Sequence, residues 1–135
     1  MLQRFQAIEY LILRSNVNPN ILKQQLHNGD IAFGAFIQIG HPAVAEIFCR
    51  AGLGWIILDC EHGGMDLETV TRMIRAMETA SAGACQALIR LPSHDPACIA
   101  RGLVAGARGI VVPMVNAPDQ AKRAVAAAKY PSLGR

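Results

Sequence analysis

Apolar residues follow two rhythms along this chain. Short, largely apolar runs at 32–39, 55–58, 85–90 and 109–113 alternate with longer segments in which apolar residues recur every three or four positions. A short run that is apolar on successive residues is the pattern of a strand covered on both faces. The longer spacing is that of a helix with one buried stripe. Segment 66–81 is the clearest helix: Leu67, Val70, Ile74, Met77 and Ala80 share a face. Asp66 is placed to cap it, and Glu68 in the first turn suits the helix dipole.

The other helices carry their own start and stop signals. Asn20 opens 21–27, which Asn28–Gly29 stops. His41–Pro42 opens a helix to about 51, and Gly52 ends it. Asp95–Pro96 opens one to about 105, ended by Gly106. Asn116 is expected to cap a last helix reaching about 129. The order is four strand–helix units with no hairpin turn between strands. It predicts an α/β fold with a mostly parallel sheet and right-handed crossovers. A closed barrel and an open doubly wound sheet both satisfy it. No G-x-G-x-x-G or G-x-x-x-x-G-K-[ST] loop follows a strand, which argues against the nucleotide-binding versions.

Composition narrows the classes. With 52% hydrophobic and 17% charged residues, the chain can bury a sizeable core. Its net charge of +3 is spread without a Lys/Arg run, so nucleic acid is not an expected partner. No apolar run reaches the roughly 18 residues of a membrane span, so no membrane is expected either. Cys49, Cys60, Cys85 and Cys98 form no C-x-x-C pair. They read as reduced thiols, mostly buried, which points to the cytoplasm. Residues 1–18, with Arg4, Arg14 and the single acid Glu9, read as an N-terminal helical extension. The alternative is a weak organelle-targeting segment.

In parallel α/β folds, ligands bind beyond the carboxyl ends of the strands. Those ends carry Gln38 and His41; Asp59, Glu61 and His62; Arg90; and Pro113, Met114 and Asn116. Segment 59–64 (DCEHGG) is the densest. Asp59 follows Ile57 and Leu58 directly, so its charge needs a partner. A carboxylate beside His62 suits general-base work; alternatively, the acids satisfy loop amides and the histidine sits on a surface turn. A Cys60–His62 nucleophile or metal pair is disfavoured, because alternation at a strand end sends Cys60 and Asp59 to opposite sides. Arg90 can hold a carboxylate or an enolate oxygen in bidentate fashion, or pair with a neighbouring acid. His41 and His94 precede helix starts and fit capping or surface roles, and His27 is a helix-end residue.

Together these residues resemble the HpcH/HpaI aldolase family of the phosphoenolpyruvate/pyruvate-binding barrels. The likeness runs through 34–42 (GAFIQIGHP), 55–62 (WIILDCEH), 87–90 (ALIR), 106–115 (GARGIVVPMV) and a tyrosine–proline turn in 128–135 (AKYPSLGR). It implies an incomplete TIM (β/α)8 barrel of about four β/α units over 19–135, preceded by the 1–18 extension. It also implies a divalent-metal aldolase (Mg, Mn or Co) that forms or cleaves 2-keto-3-deoxy or 4-hydroxy-2-oxo acids through a pyruvate enolate. The expected partners are a keto acid, an aldehyde and further copies of the chain. On this resemblance His62 matches the catalytic base and Arg90 the group that stabilises the enolate. Asp59 and Glu61 match acidic positions that order water near the metal.

Two departures accompany the likeness. Val104 stands where the family carries an aspartate that raises the basicity of the histidine. The family's metal-ligating glutamate and aspartate, and the glutamine that contacts the keto acid, belong to later strands. No metal ligand is therefore assigned here. Four strands alone would leave two open edges, which invites association. An inactive half-barrel serving as a binding domain is the competing class. A citrate-lyase-like acyl-CoA lyase is the other enzyme reading, and the histidine after the acids favours the aldolase.

Overall fold

The computed structural model describes residues 20–129. The N-terminal extension or targeting segment at 1–18 and the tyrosine–proline turn at 130–131 lie outside them. Helix α1 covers Ile21–Asn28, followed by β1 Gly34–Ile37, α2 Pro42–Arg50, β2 Trp55–Asp59 and α3 Leu67–Ser81. Then come β3 Gln86–Arg90, α4 Pro96–Val104, β4 Gly109–Val111 and α5 Pro118–Ala127. The four strands are parallel and lie in sequence order, β1-β2-β3-β4.

Local signals set most helix ends. The side chains of Asn20, Asp66 and Asp95 accept from the backbone N–H of Lys23, Thr69 and Ala97. His41 Nδ1 accepts from Ala43 N at 3.2 Å and caps α2. Gly29 ends α1 at φ 80, a left-handed conformation that costs glycine little. The expected cap at Asn116 is corrected: α5 begins after Ala117, and Gln120 Oε1 reaches back to accept from Asn116 N and Ala117 N. Strands β1 and β4 are shorter than their apolar runs. At β1, Phe33 and Ile39 are exposed and lie beyond the last paired residues.

The register assigns the two faces of the sheet. Ala35, Ile37, Ile56, Leu58, Ala87, Ile89 and Ile110 alternate toward the helix layer. There Ile37, Ile56, Leu58 and Ile89 pack with Val70, Met73, Ile74 and Met77 of α3 in the main core. Burying each such side chain contributes about 2 kcal/mol. The other face carries Phe36, Ile57, Asp59, Leu88 and Arg90. Helix α1 reaches its lower end: Asn20 Nδ2 donates to Arg108 O at 2.7 Å, and a depression of about 330 Å³ lies between Leu22, Leu26 and Leu88. At the upper end, Asp59 and Arg90 terminate adjacent strands. Among the described residues, no helix is long and apolar enough to cross a membrane.

Candidate active site

Strand β2 delivers Asp59 to the top of the sheet with none of its surface exposed. A bare carboxylate there would be costly, so its partners matter. Arg90, directly across in the register, supplies a bidentate pair: Nε donates to Oδ1 at 2.9 Å and Nη2 to Oδ2 at 2.5 Å. Gln38 Nε2 also donates to Oδ2, at 2.9 Å. The backbone N–H groups of Glu61 and His62 donate to Oδ1 at 3.0 and 3.1 Å. The Arg90 hydrogen bonds hold the Asp59 carboxyl well below the usual carboxylate range against its burial, with Gln38 and the two amides adding to the effect. In turn Asp59, with help from Glu61, strengthens the hold of Arg90 on its proton.

The turn after Asp59 is tightly constrained. Gly63 N donates to Asp59 O at 3.1 Å. A Cβ at Gly63 would sit 2.2 Å from that same oxygen and 3.2 Å from Gln38 O, so only glycine allows this approach. The chain therefore doubles back over Asp59. It presents Glu61 beside Arg90 (Oε2 to Nε 3.3 Å) and leaves the His62 side chain 63% exposed. His62 Nε2 lies 3.9 Å from Glu61 Oε2. The backbone of His62 is pinned to Asp59 while its ring is largely exposed.

The structure thus unites all four residues singled out in the sequence. Asp59, Glu61, His62 and Arg90 form one cluster, and its centre is the Asp59–Arg90 pair. Of the two readings of Arg90, the structure shows the pairing with neighbouring acids; its Nη1 takes no part in the hydrogen bonds to Asp59. Asp59 takes five hydrogen bonds, which leaves Glu61 as the more open carboxylate. Cys60 packs against the helix-side core, opposite Asp59, and burial raises its thiol pKa. Sequence alone marks Gln38 only by its place at a strand end and does not mark Phe36, whose ring centroid lies 5.3 Å from Arg90 Cζ. Their i, i+2 spacing across the end of β1 was the available signal.

Position 104 does not belong to this cluster. Helix α4 runs back down the sheet from the end of β3 toward the start of β4. Val104, at its C-terminal end, is 87% exposed. The nearby Gly106 and Arg108 adjoin Gly83, Cys85 and Gln86 at the lower edge of the sheet. Whatever stands at 104 is therefore at the opposite end from His62 within one chain.

The donor set does not fit a divalent cation by itself. Among the described residues, no group of three or more His, Cys, Asp or Glu is arranged to hold a metal ion. Asp59 is saturated by its donors, and Glu61 leans on Arg90.

A model of the HpcH/HpaI aldolase/citrate lyase family matches residues 32–135. A 4-hydroxy-2-oxovalerate aldolase of Novosphingobium aromaticivorans is 36% identical over 115 residues, covering 85% of this chain and 43% of the relative. A hydroxypyruvate/pyruvate aldolase of Paraburkholderia phytofirmans is also 36% identical, covering 85% and 44%. The crystal structure of a family member from Burkholderia cenocepacia superposes with a TM-score of 0.77 at 33% identity, covering 84% of this chain and 44% of that one. The chain spans less than half the length of these relatives.

Proposed function

The chain belongs to the HpcH/HpaI aldolase/citrate lyase family, and from that premise we propose that its cluster is part of a carbon–carbon lyase site for 2-oxo acids. One observation carries this reading. A guanidinium locked by a buried carboxylate stands at the carboxyl end of the sheet beside an exposed histidine. The names of the two relatives described above share one chemical group, the 2-oxo carboxylate.

The chemistry follows from where charge develops. In cleavage of a 4-hydroxy-2-oxo acid, a base removes the proton of the C4 hydroxyl. The C3–C4 bond breaks and an aldehyde leaves. The electron pair moves to the C2 oxygen as an enolate, and protonation at C3 gives pyruvate. Arg90 Nη1 is the donor free to meet the enolate oxygen, and its fixed plane makes it a preorganised one. His62 is the proton carrier, exposed so that a substrate hydroxyl can reach it. Glu61, between the two, holds water or the imidazolium. A divalent ion remains part of this proposal, with ligands other than the cluster described, and no step is assigned to it. The histidine favours this reading over the acyl-CoA lyase one.

The test is release of pyruvate from a 4-hydroxy-2-oxo acid by the purified chain with Mg2+ or Mn2+, coupled to a dehydrogenase. The expected result is release that His62→Ala and Arg90→Lys each reduce by about a hundredfold or more. Equal rates in wild type and both variants would sink the proposal. So would no release above buffer, and the inactive binding domain would then be the better reading.

A further inference from the structure

Three strands bring one polar side chain each to the same level and face of the sheet. The register pairs Asp59 with Arg90, and Gln38 lies one residue beyond the Ile37–Leu58 pair, level with Asp59. Gln38 donates to Asp59 Oδ2, the oxygen that also takes Arg90 Nη2. Two residues earlier, within β1, Phe36 places its ring beside the Arg90 guanidinium. Strand β1 therefore grips the arginine of β3 twice, once directly and once through the carboxylate of β2.

We propose that Gln38 is a positioning residue that sets the plane of Arg90 by fixing the Asp59 carboxylate. The proposal rests on the reading of Arg90 as the group that receives a 2-oxo acid oxygen. A carboxylate turns softly about its last torsion. Asp59 Oδ1 is fastened by two backbone amides and by Arg90 Nε, whereas Oδ2 has only Arg90 Nη2 and Gln38. A second acceptor competes for the arginine, since Glu61 Oε2 lies 3.3 Å from Nε. Without the Gln38 donor, Oδ2 loses its only fixed partner apart from Arg90 itself. The guanidinium then spends part of its time off its two-point hold on Asp59, in the longer single contact to Glu61 or in neither, and Nη1 no longer faces one direction. Gln38 thus biases Arg90 toward Asp59 and keeps Glu61 as its more distant partner.

The Nε–H of Arg90 reports this directly by NMR in the 15N-labelled full chain, with no need for catalysis. In Q38L, hydrogen exchange of that Nε–H is expected to speed up about fivefold, the factor one hydrogen bond of ordinary net strength controls. The backbone amides of Ile57 and Leu58 should exchange as in wild type, which separates this effect from general loosening. Q38E keeps the reach and supplies the second comparison should Q38L not fold. At neutral pH its carboxylate faces Oδ2 without a donor, and Arg90 Nε–H should be as poorly protected as in Q38L. At mildly acidic pH the neutral acid regains an O–H donor, and protection should return toward that of wild type at the same pH. Wild-type exchange of the Arg90 Nε–H in Q38L, or in Q38E at neutral pH, overturns the proposal. If wild type releases no pyruvate but these exchange changes occur, the positioning role stands and only the aldolase reading falls.

Discussion

Asp59→Asn changes one atom at the centre of the cluster and keeps its shape. In the wild type, three donors converge on Oδ1 and two on Oδ2. An asparagine can present its carbonyl to the first three. Its amide then faces Arg90 Nη2, donor against donor, while Gln38 can turn its own amide to accept. The net loss is one charge-assisted hydrogen bond and the ion pair itself. Removing one partner of a buried pair costs about 3–5 kcal/mol. Arg90 is 22% exposed and has Glu61 nearby, so the lower end applies, about 3 kcal/mol. For a domain of this size that is a fall in Tm of roughly 10 °C.

The pH dependence identifies the cause. The native Asp59 carboxyl is held below its ordinary value, which is about 3.9 in the unfolded chain. Its contribution is therefore complete above about pH 4–5 and is lost as pH falls from there toward the depressed native value. Urea or thermal unfolding followed by circular dichroism should show a constant gap between wild type and D59N near neutrality. That gap should close on acidification. A gap below about 1 kcal/mol at neutral pH, or one that stays constant down to about pH 2.5, refutes the argument.

Other outcomes follow from the same geometry. Gly63→Ala drives a Cβ to within 2.2 Å of Asp59 O, and should lower stability by about 2 kcal/mol or more in denaturant titrations while shifting the amide resonances of Glu61 and His62. Burial raises the Cys49 thiol and pushes Cys85 up to about 12, so a thiol reagent at mildly alkaline pH should label both only as fast as the chain unfolds. Val104→Asp, exposed at the far end of the sheet, should leave stability within about 0.5 kcal/mol of wild type and the His62 ring resonances unmoved in the monomer.

Much of the architecture was readable because its signals are local. The caps at Asn20, Asp66 and Asp95 act within three residues, so spacing alone finds them. Asn116 misled because the decisive contact comes from Gln120, reaching backward from inside the helix. The apolar run at 32–39 overstated β1, since Phe33 and Ile39 carry hydrophobicity that no neighbouring strand pairs. Asp59 and Arg90 were each legible as strand-end residues, but their partnership was not. They are 31 residues apart, and only the strand register puts them face to face. Gln38 was hidden for the same reason. Its role depends on being level with Asp59 across a strand pair, a relation that periodicity along one segment does not record.

The most direct test of a 2-oxo acid site asks only whether it forms an enolate. Pyruvate in D2O, incubated with the chain and Mn2+ or Mg2+ and followed by proton NMR, should lose its methyl signal to deuterium faster than in buffer with the same metal. Arg90→Lys and His62→Ala should each abolish that acceleration. Methyl exchange no faster than the metal control, or unchanged by both substitutions, contradicts the assignment of Arg90 and His62 to enolate chemistry.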